Sequence, residues 1–407
     1  MSERIYLDHA ATTPLDPRVL EVMIPYLRDY WGNPSSLYAE AREARKGLDA
    51  ARRTVAELLG CQPQEVIFTS GGSESDSLAV RGAAYAGRRR GNHIVVSPIE
   101  HHAVLHTVQQ LEKEGFRVTY LPVDGQGFVD LAALATAVTP ETVLVSIMYA
   151  NNEVGTVEPI AEAARIVKER NRHCVFHTDA VQAVGTLDIN VGRLGVDLLS
   201  IGGHKFYGPK GVGALYVRAR TALQPQTLGG SQERNRRAGT ENVAGAVGLA
   251  KAMELACGEM ARRIAHYRAL RDRLLAEVPA RVPLTHITGS LDPQRRLANS
   301  FSCCFQFVEG EAVLMALDLA GIAASSGSAC TSGSLEPSHV LTAMGISDEL
   351  ARGSLRVTVG KDNTLAETDR FLDVLPGIIA RLRELSPLWR AGVGARAGGS
   401  GQAPLGH

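Results

Sequence analysis

The chain has 407 residues, 45% of them apolar and 21% charged, with lysine plus arginine and aspartate plus glutamate both at 43. This make-up suits a soluble globular protein with a sizeable core, at a length that fits two domains, and its even charge gives no electrostatic reason to expect nucleic acid or a membrane as a direct partner. Six scattered cysteines without a C-x-x-C pair, no run long enough for a membrane span, and an opening stretch "MSERIYLDHAATTP" without a secretory apolar segment point to a cytoplasmic, reducing setting.

In chain order, "EVIFTS" (65–70) predicts a strand, and the stretch from Ser73 to about Tyr85 a helix. "HIVVSP" (93–98) is a strand followed by a helix that ends at a glycine. Strands follow at "RVTYLPV" (117–123), "TVLVSIMYA" (142–150), "CVFHTDA" (174–180), "VDLLSIGG" (196–203) and "GALYV" (213–217). Most are continuous apolar runs, as expected where both faces of a sheet are covered, and strand–helix alternation predicts an α/β fold with a largely parallel sheet. From about Ala244 the character changes. Residues 246–278 predict one long helix connecting two domains. After it, "RLANSFSCCFQF" and "SLRVTVG" read as strands, and "EGEAVLMALDLAG" and "LAETDRFLDVLPGIIARLREL" as helices, which makes a smaller α+β unit. The glycine- and alanine-rich end after Trp389 has no hydrophobic pattern and is expected to be disordered.

Five constellations carry chemistry. In "FTSGGSESDSLAV" (68–80) a strand meets two glycines and then a helix start at Ser73. Helix N-termini offer unpaired amides to a phosphate, and a plain serine cap is the alternative. Asp179 in "VFHTDAVQAVG" ends an apolar strand at the sheet edge where open α/β folds bind ligands; it also suits a helix cap, with Gln182 completing a capping box imperfectly. In "LLSIGGHKFYGPKGVG" Lys205 follows a buried strand, a placement that suits Schiff-base chemistry as well as a snorkelling side chain. His101 in "PIEHHAVLHT" lies at the same edge, where an imidazole can stack on a ring or move protons, whereas His102 and His106 read as solvated or capping. "QERNRRAGTENVAG" (232–245) either binds an anion or is a solvated basic turn. Asp179 and Lys205 are one crossover apart, so they can converge. An aspartate for a pyridinium nitrogen, a Schiff-base lysine and a helix-start phosphate site together describe a pyridoxal phosphate pocket.

Residues 325–334 hold only serines, glycines, an alanine, a threonine and Cys330. Cysteine is ordinarily a buried residue, so its place in the stretch least able to bury it suggests a thiol that must move and be reached. Pro337 beyond it is expected to open a helix. Cys303 and Cys304 adjoin in a strand and so face opposite sides; Cys61, Cys174 and Cys257 sit in apolar patterns and read as core.

With those motifs in order, from "YLDHAATTPLDPRV" through "WGNPSSLY", "ANNEVGT", "GGHKFYGPKGVGALYV", "RRAGTENV" and "SSGSACTSGSLEPSHVL" to "LRVTVGK", residues 4–385 resemble the class I cysteine desulfurases of the NifS/IscS type. The resemblance implies a fold type I pyridoxal phosphate enzyme, homodimeric, with a large domain on a mainly parallel seven-stranded sheet (15–260), a small α+β domain (1–14 and 261–388) and a tail (389–407). It implies that Lys205 holds the cofactor covalently, Asp179 pairs with the ring nitrogen, Gln182 with the ring hydroxyl, and His101 stacks on the ring. Gly72, Ser73 and His204 would hold the phosphate, and Thr240 the phosphate of a neighbouring subunit. Asn152 would touch cofactor and substrate, Arg356 the substrate carboxylate. Cys330 would take sulfur from L-cysteine, pass it to an acceptor or iron–sulfur scaffold protein, and ligate a transient iron–sulfur cluster there. Iron–sulfur assembly and tRNA thiolation are both open destinations, and a β-lyase or aminotransferase is the rival within the fold. Gly202 stands where many members carry a phosphate-binding serine, Ser73 where threonine is common, and His9 where asparagine or tyrosine is common; the first departure weakens cofactor retention.

Overall fold

The structure, a computed structural model, describes residues 4–326, 337–387 and Trp389. The strands are β1 (Ile5–Tyr6), β2 (Val66–Thr69), β3 (His93–Val96), β4 (Arg117–Tyr120), β5 (Thr142–Ser146), β6 (Val175–Asp179), β7 (Leu198–Gly202), β8 (Gly213–Val217), β9 (Thr285–Ile287), β10 (Ser300–Phe305), β11 (Ile322–Ala323) and β12 (Ser354–Thr358). A seven-stranded sheet has the order β2-β8-β7-β6-β5-β3-β4, and β8 alone runs against its neighbours. All but the edge strand β4 are buried throughout, which is why they read as unbroken apolar runs.

Alternation along each strand sends neighbours to two separate cores. Leu199 and Phe176 pack with Val55, Leu59 and Met253 on one face. Leu198 and Val175 pack with Leu78, Val104 and Leu111 on the other. The parallel strands β3, β5, β6 and β7, together with β2, end at one edge, and their following loops meet there.

A third core gathers Tyr267, Leu274, Phe301, Cys303, Leu355 and Phe371 around the antiparallel sheet β12-β10-β9, joined by Ile5 and Leu7 from the N-terminus. Cys304 faces the opposite way, into a cluster with Ile99, Met148, Val154 and Leu341. That cluster fastens the loops of the large sheet to the third core. The N-terminal strand β1 pairs with β11, and Asp8 bridges to Thr358.

The long helix expected over 246–278 is two helices, Val243–Gly258 and Met260–Arg281. The break is at Glu259, whose backbone leaves the helical region and whose carboxylate is drawn to Arg18 and Arg263, both at 2.8 Å. Hydrophobic periodicity does not register this break, and of the two arginines only Arg18 is remote, 241 residues away in sequence. Trp389, expected to begin the tail, lies against Phe307 with ring centroids 5.7 Å apart.

Candidate active site

At the shared strand edge lies a cavity of about 410 Å³. It brings together Gly72, Ser73, His101, Asn152, Asp179, Gln182, His204, Lys205 and Arg356, all singled out from sequence. Thr240 is not among its lining residues; it borders a smaller cavity with Thr69, Ser70 and Arg237. Cys330 lies outside the described residues. Ser325 lines the cavity and pairs its main chain with that of Arg356.

The helix Gly72–Gly87 starts directly after β2, with Gly71 in the capping position and no side-chain cap bond. Ser73 is therefore not the cap, and the first amides of the helix have no intrahelical partner. Glu74 in the first turn bonds back to the Ser70 amide and pairs with Arg237 at 2.7 Å. A side chain at Gly72 would put its Cβ 2.7 Å from Val181 Cγ2, so only glycine lets the helix start approach the loop after β6 so closely. A Cβ at Gly202 would come 3.3 Å from the Gly72 nitrogen. Two glycines thus leave a backbone-walled recess at a helix N-terminus.

Asp179 ends β6, and the chain beyond it is a run of turns rather than a helix, so the capping alternative lapses. Its Oδ1 accepts from the Val181 amide at 2.8 Å. Burial pushes its carboxyl up to about 6, against the pull of that amide and of the Lys205 charge. Gln182 does not close a capping box; its Nε2 donates to the Ala10 carbonyl at 3.1 Å. Beneath Asp179 sit the buried Asp76 and His177, 3.6 Å apart. His177 is held by Ser146 at 2.8 Å and Ser200 at 3.0 Å. Burial, and then the Asp179 charge, raise Asp76 well above the carboxylate range, and burial lowers His177 to about 3. His177 is therefore neutral near pH 7, and burial disfavours the charged form of both partners.

Lys205 follows β7 in the single turn Gly203–Lys205. Its Nζ donates to the carbonyls of Ala10 and Ala11, each at 2.7 Å. His204 bonds Thr12 Oγ1 through Nδ1 at 3.0 Å, and burial followed by the Lys205 charge lowers it to about 4. His101 caps the helix His102–Lys113, its Nδ1 accepting from the Ala103 amide at 3.1 Å. The neutral ring therefore carries its proton on Nε2. Burial first, and Lys205 next, lower His101 to about 4, so it is neutral at physiological pH.

Arg356 on β12 is buried. Nη1 donates to the Asn152 carbonyl at 2.9 Å and Nη2 to Asp8 at 2.8 Å, while Nε has no partner among the described residues. Asn151 shapes the loop beside it: Oδ1 accepts from the Glu153 and Val154 amides, and Nδ2 donates to the Ile99 carbonyl.

These groups fit pyridoxal phosphate. A buried carboxylate, a glycine-walled helix start, a primary amine and the Arg356 guanidinium line one cavity of suitable size. Asp8, Asp76, Asn151, Glu153 and Ser325 escaped sequence reasoning. Asp8 and Arg356 are 348 positions apart, and no local pattern links them. A larger cavity of about 650 Å³, lined by Phe307, Glu309, Leu382 and Leu385 among others, shares no residue with this site. Among the described residues no cluster is arranged to hold a metal ion, and no helix is long and apolar enough to cross a membrane.

Residues 5–371 match the family Aminotransferase class-V. The chain is 51% identical over 389 residues to a protein named cysteine desulfurase IscS from Clostridium botulinum, covering 96% of this chain and 98% of the relative. A solved structure titled NifS-like protein superposes with a TM-score of 0.88 at 40% identity, covering 93% of this chain and all of the other. Another, titled SspA in complex with cysteine, gives 0.74 at 36% identity over 87% of this chain and 98% of the other.

Proposed function

The chain belongs to the aminotransferase class-V family and is a pyridoxal-phosphate-dependent cysteine desulfurase, and from that premise we propose how its own residues carry the reaction. The observation that carries this reading is the convergence of Lys205, Asp179, His101 and Arg356 on one cavity. Lys205 would hold the cofactor, Asp179 the ring nitrogen, Gln182 the ring hydroxyl and His101 the ring face. Gly72, Ser73 and His204 would cradle the phosphate. When bound, the cofactor supplies an aldehyde that condenses with the substrate amine and a ring that takes up the electron pair from Cα.

L-Cysteine is the substrate. Arg356, already braced by Asp8 and the Asn152 carbonyl, directs its remaining donor capacity at the substrate carboxylate. Lys205, released as an amine, takes the Cα proton and later returns it. The Cys330 thiolate attacks the substrate sulfur: an S–S bond forms, the Cβ–S bond breaks, and its electron pair stays with the carbon, which leaves protonated as L-alanine. His101, neutral and with a proton on Nε2, relays a proton at this step. The persulfide on Cys330 then passes to an acceptor, with iron–sulfur assembly as the destination and a transient cluster ligated by Cys330 part of the same hand-over.

A homodimer in the cytoplasm completes the proposal. Leu20, Ile24, Leu27 and Trp31 form an exposed apolar strip on and after the helix Pro17–Arg28, an area a second copy would cover. Thr240 lies outside its own chain's cavity, which suits a hydroxyl delivered to a partner. The test is Cys330→Ser. Loss of persulfide, with the cofactor's visible absorbance kept, is the expected result; full sulfide-releasing turnover would instead identify a β-lyase.

A further inference from the structure

Residues 327–336, which include Cys330, lie outside the described part of the chain, but the residues on both sides of them are placed. On the near side, the Ser325 amide donates to the Arg356 carbonyl at 3.1 Å, and the Arg356 amide donates back at 2.7 Å. On the far side, Pro337 does not open the next helix; Ser338 caps it. The Ser338 hydroxyl accepts from the amides of Val340 at 3.2 Å and Leu341 at 3.4 Å, and donates to a carboxyl oxygen of Glu153. His339, the first residue of that helix, bonds the Glu100 carbonyl at 3.0 Å, next to His101.

Glu153 is buried and follows Asn152, whose carbonyl takes the Arg356 guanidinium. Burial pushes its carboxyl up to about 7, while the Ser338 hydroxyl and the Arg356 charge pull it down. A buried carboxyl is costly, and an apolar side chain of similar size would fill the space more cheaply. Its carboxylate instead holds the hydroxyl of the residue that begins the far flank. Both flanks of the Cys330 segment therefore close on the same small group: Arg356 directly on one side, and Glu153 through Ser338 on the other.

We propose that Glu153 is a positioning residue for sulfur transfer, fixing the far flank of the Cys330 segment through Ser338 relative to the carboxylate-binding Arg356. The proposal rests on Cys330 being the sulfur carrier. Attack on a substrate sulfur requires the thiolate and the Cβ–S bond to be aligned, and a misplacement of about 1 Å costs on the order of a hundredfold. Glu153 does not line the cavity, so any effect it has on the reaction runs through the groups it holds.

The test uses the holoenzyme with Ser338→Ala, Glu153→Ala and Glu153→Gln. Two steps are read separately in a single turnover: the absorbance change when L-cysteine engages the bound cofactor, and persulfide on Cys330 by mass spectrometry. Ser338→Ala and Glu153→Ala are expected to slow persulfide formation by about tenfold or more while the absorbance step stays within about twofold. Glu153→Gln is expected to restore transfer to within about threefold, because its amide oxygen still accepts from Ser338. A merely structural residue would not separate the two steps or be rescued in this way. Persulfide formation in Ser338→Ala within about twofold of wild type, or a parallel fall of both steps, overturns the proposal. If Glu153→Ala does not fold, Ser338→Ala and Glu153→Gln decide alone. A wild-type protein that puts no persulfide on Cys330 overturns the carrier reading, and this proposal with it, and so is distinguishable from failure of the positioning role.

Discussion

The site places charged groups where charge is expensive. Asp179 has its carboxyl raised by burial from the usual 3.8 to about 6. A raised carboxyl favours the folded state while protonated: its contribution is complete below the unfolded value and is lost as pH rises through about 6. Above pH 6 the cofactor-free protein therefore carries an ionised carboxylate with little solvation. Asp179→Asn should stabilise the cofactor-free protein there, by about 3 kcal/mol at most, and the gain should vanish below about pH 4. Thermal unfolding at about pH 5 and pH 8 checks the sign. On the proposed pairing of Asp179 with the ring nitrogen, the same variant should lose at least about a hundredfold in desulfurase turnover. Stability gained with activity lost is the mark of a residue retained for chemistry.

At the scale of elements, the decisive contact is between the start of the helix Gly72–Gly87 and the loop after β6. Alanine ordinarily suits a helix better than glycine. Here its Cβ would fall 2.7 Å from a methyl of Val181, a β-branched side chain with few rotamers to retreat to. Val181 is two residues from Asp179 and lines the same cavity. Gly72→Ala should therefore weaken cofactor binding about tenfold and also lower the thermal midpoint of the cofactor-free protein, by the equivalent of about 1–3 kcal/mol. Fluorescence titration with the cofactor measures the first and calorimetry the second. An unchanged affinity would show that the recess tolerates the added methyl. The break at Glu259 belongs to this scale too: Arg18 and Arg263 converge on its carboxylate where the two helices meet, a junction the apolar pattern alone does not show.

For the whole molecule, the question is what covers the strip Leu20, Ile24, Leu27 and Trp31. Val19 and Met23 already bury the other face of that helix against the helix Val243–Gly258. Leu27 is 63% exposed and Trp31 69%, and large apolar side chains gathered this way mark an interface more often than a bare surface. If this strip is the proposed dimer face, wild type should sediment as a dimer and Leu27→Glu as a monomer at micromolar concentration. On the proposal that Thr240, which lines a different cavity of its own chain, serves the partner's cofactor, the variant should also lower cofactor affinity. A monomeric variant with undiminished affinity would remove Thr240 from the cofactor site.

The strand and helix succession, the α/β class and most of the residues that line the cavity were legible in the amino-acid sequence. Buried strands show as apolar runs, and the residues that end them are few and chemically distinct: Asp179 after "VFHT", and Lys205 after "LLSIGGH". The amino-acid sequence could not supply the partners of those residues. The pairing of Arg356 with Asp8, the grip of the Ala10 and Ala11 carbonyls on Lys205, and the bond from Ser338 to Glu153 join positions 185 to 348 residues apart. Local pattern carries hydrophobic period and turn chemistry, which act over a few residues. Which buried charge meets which partner depends on how separate layers stack, and only the tertiary structure decides that.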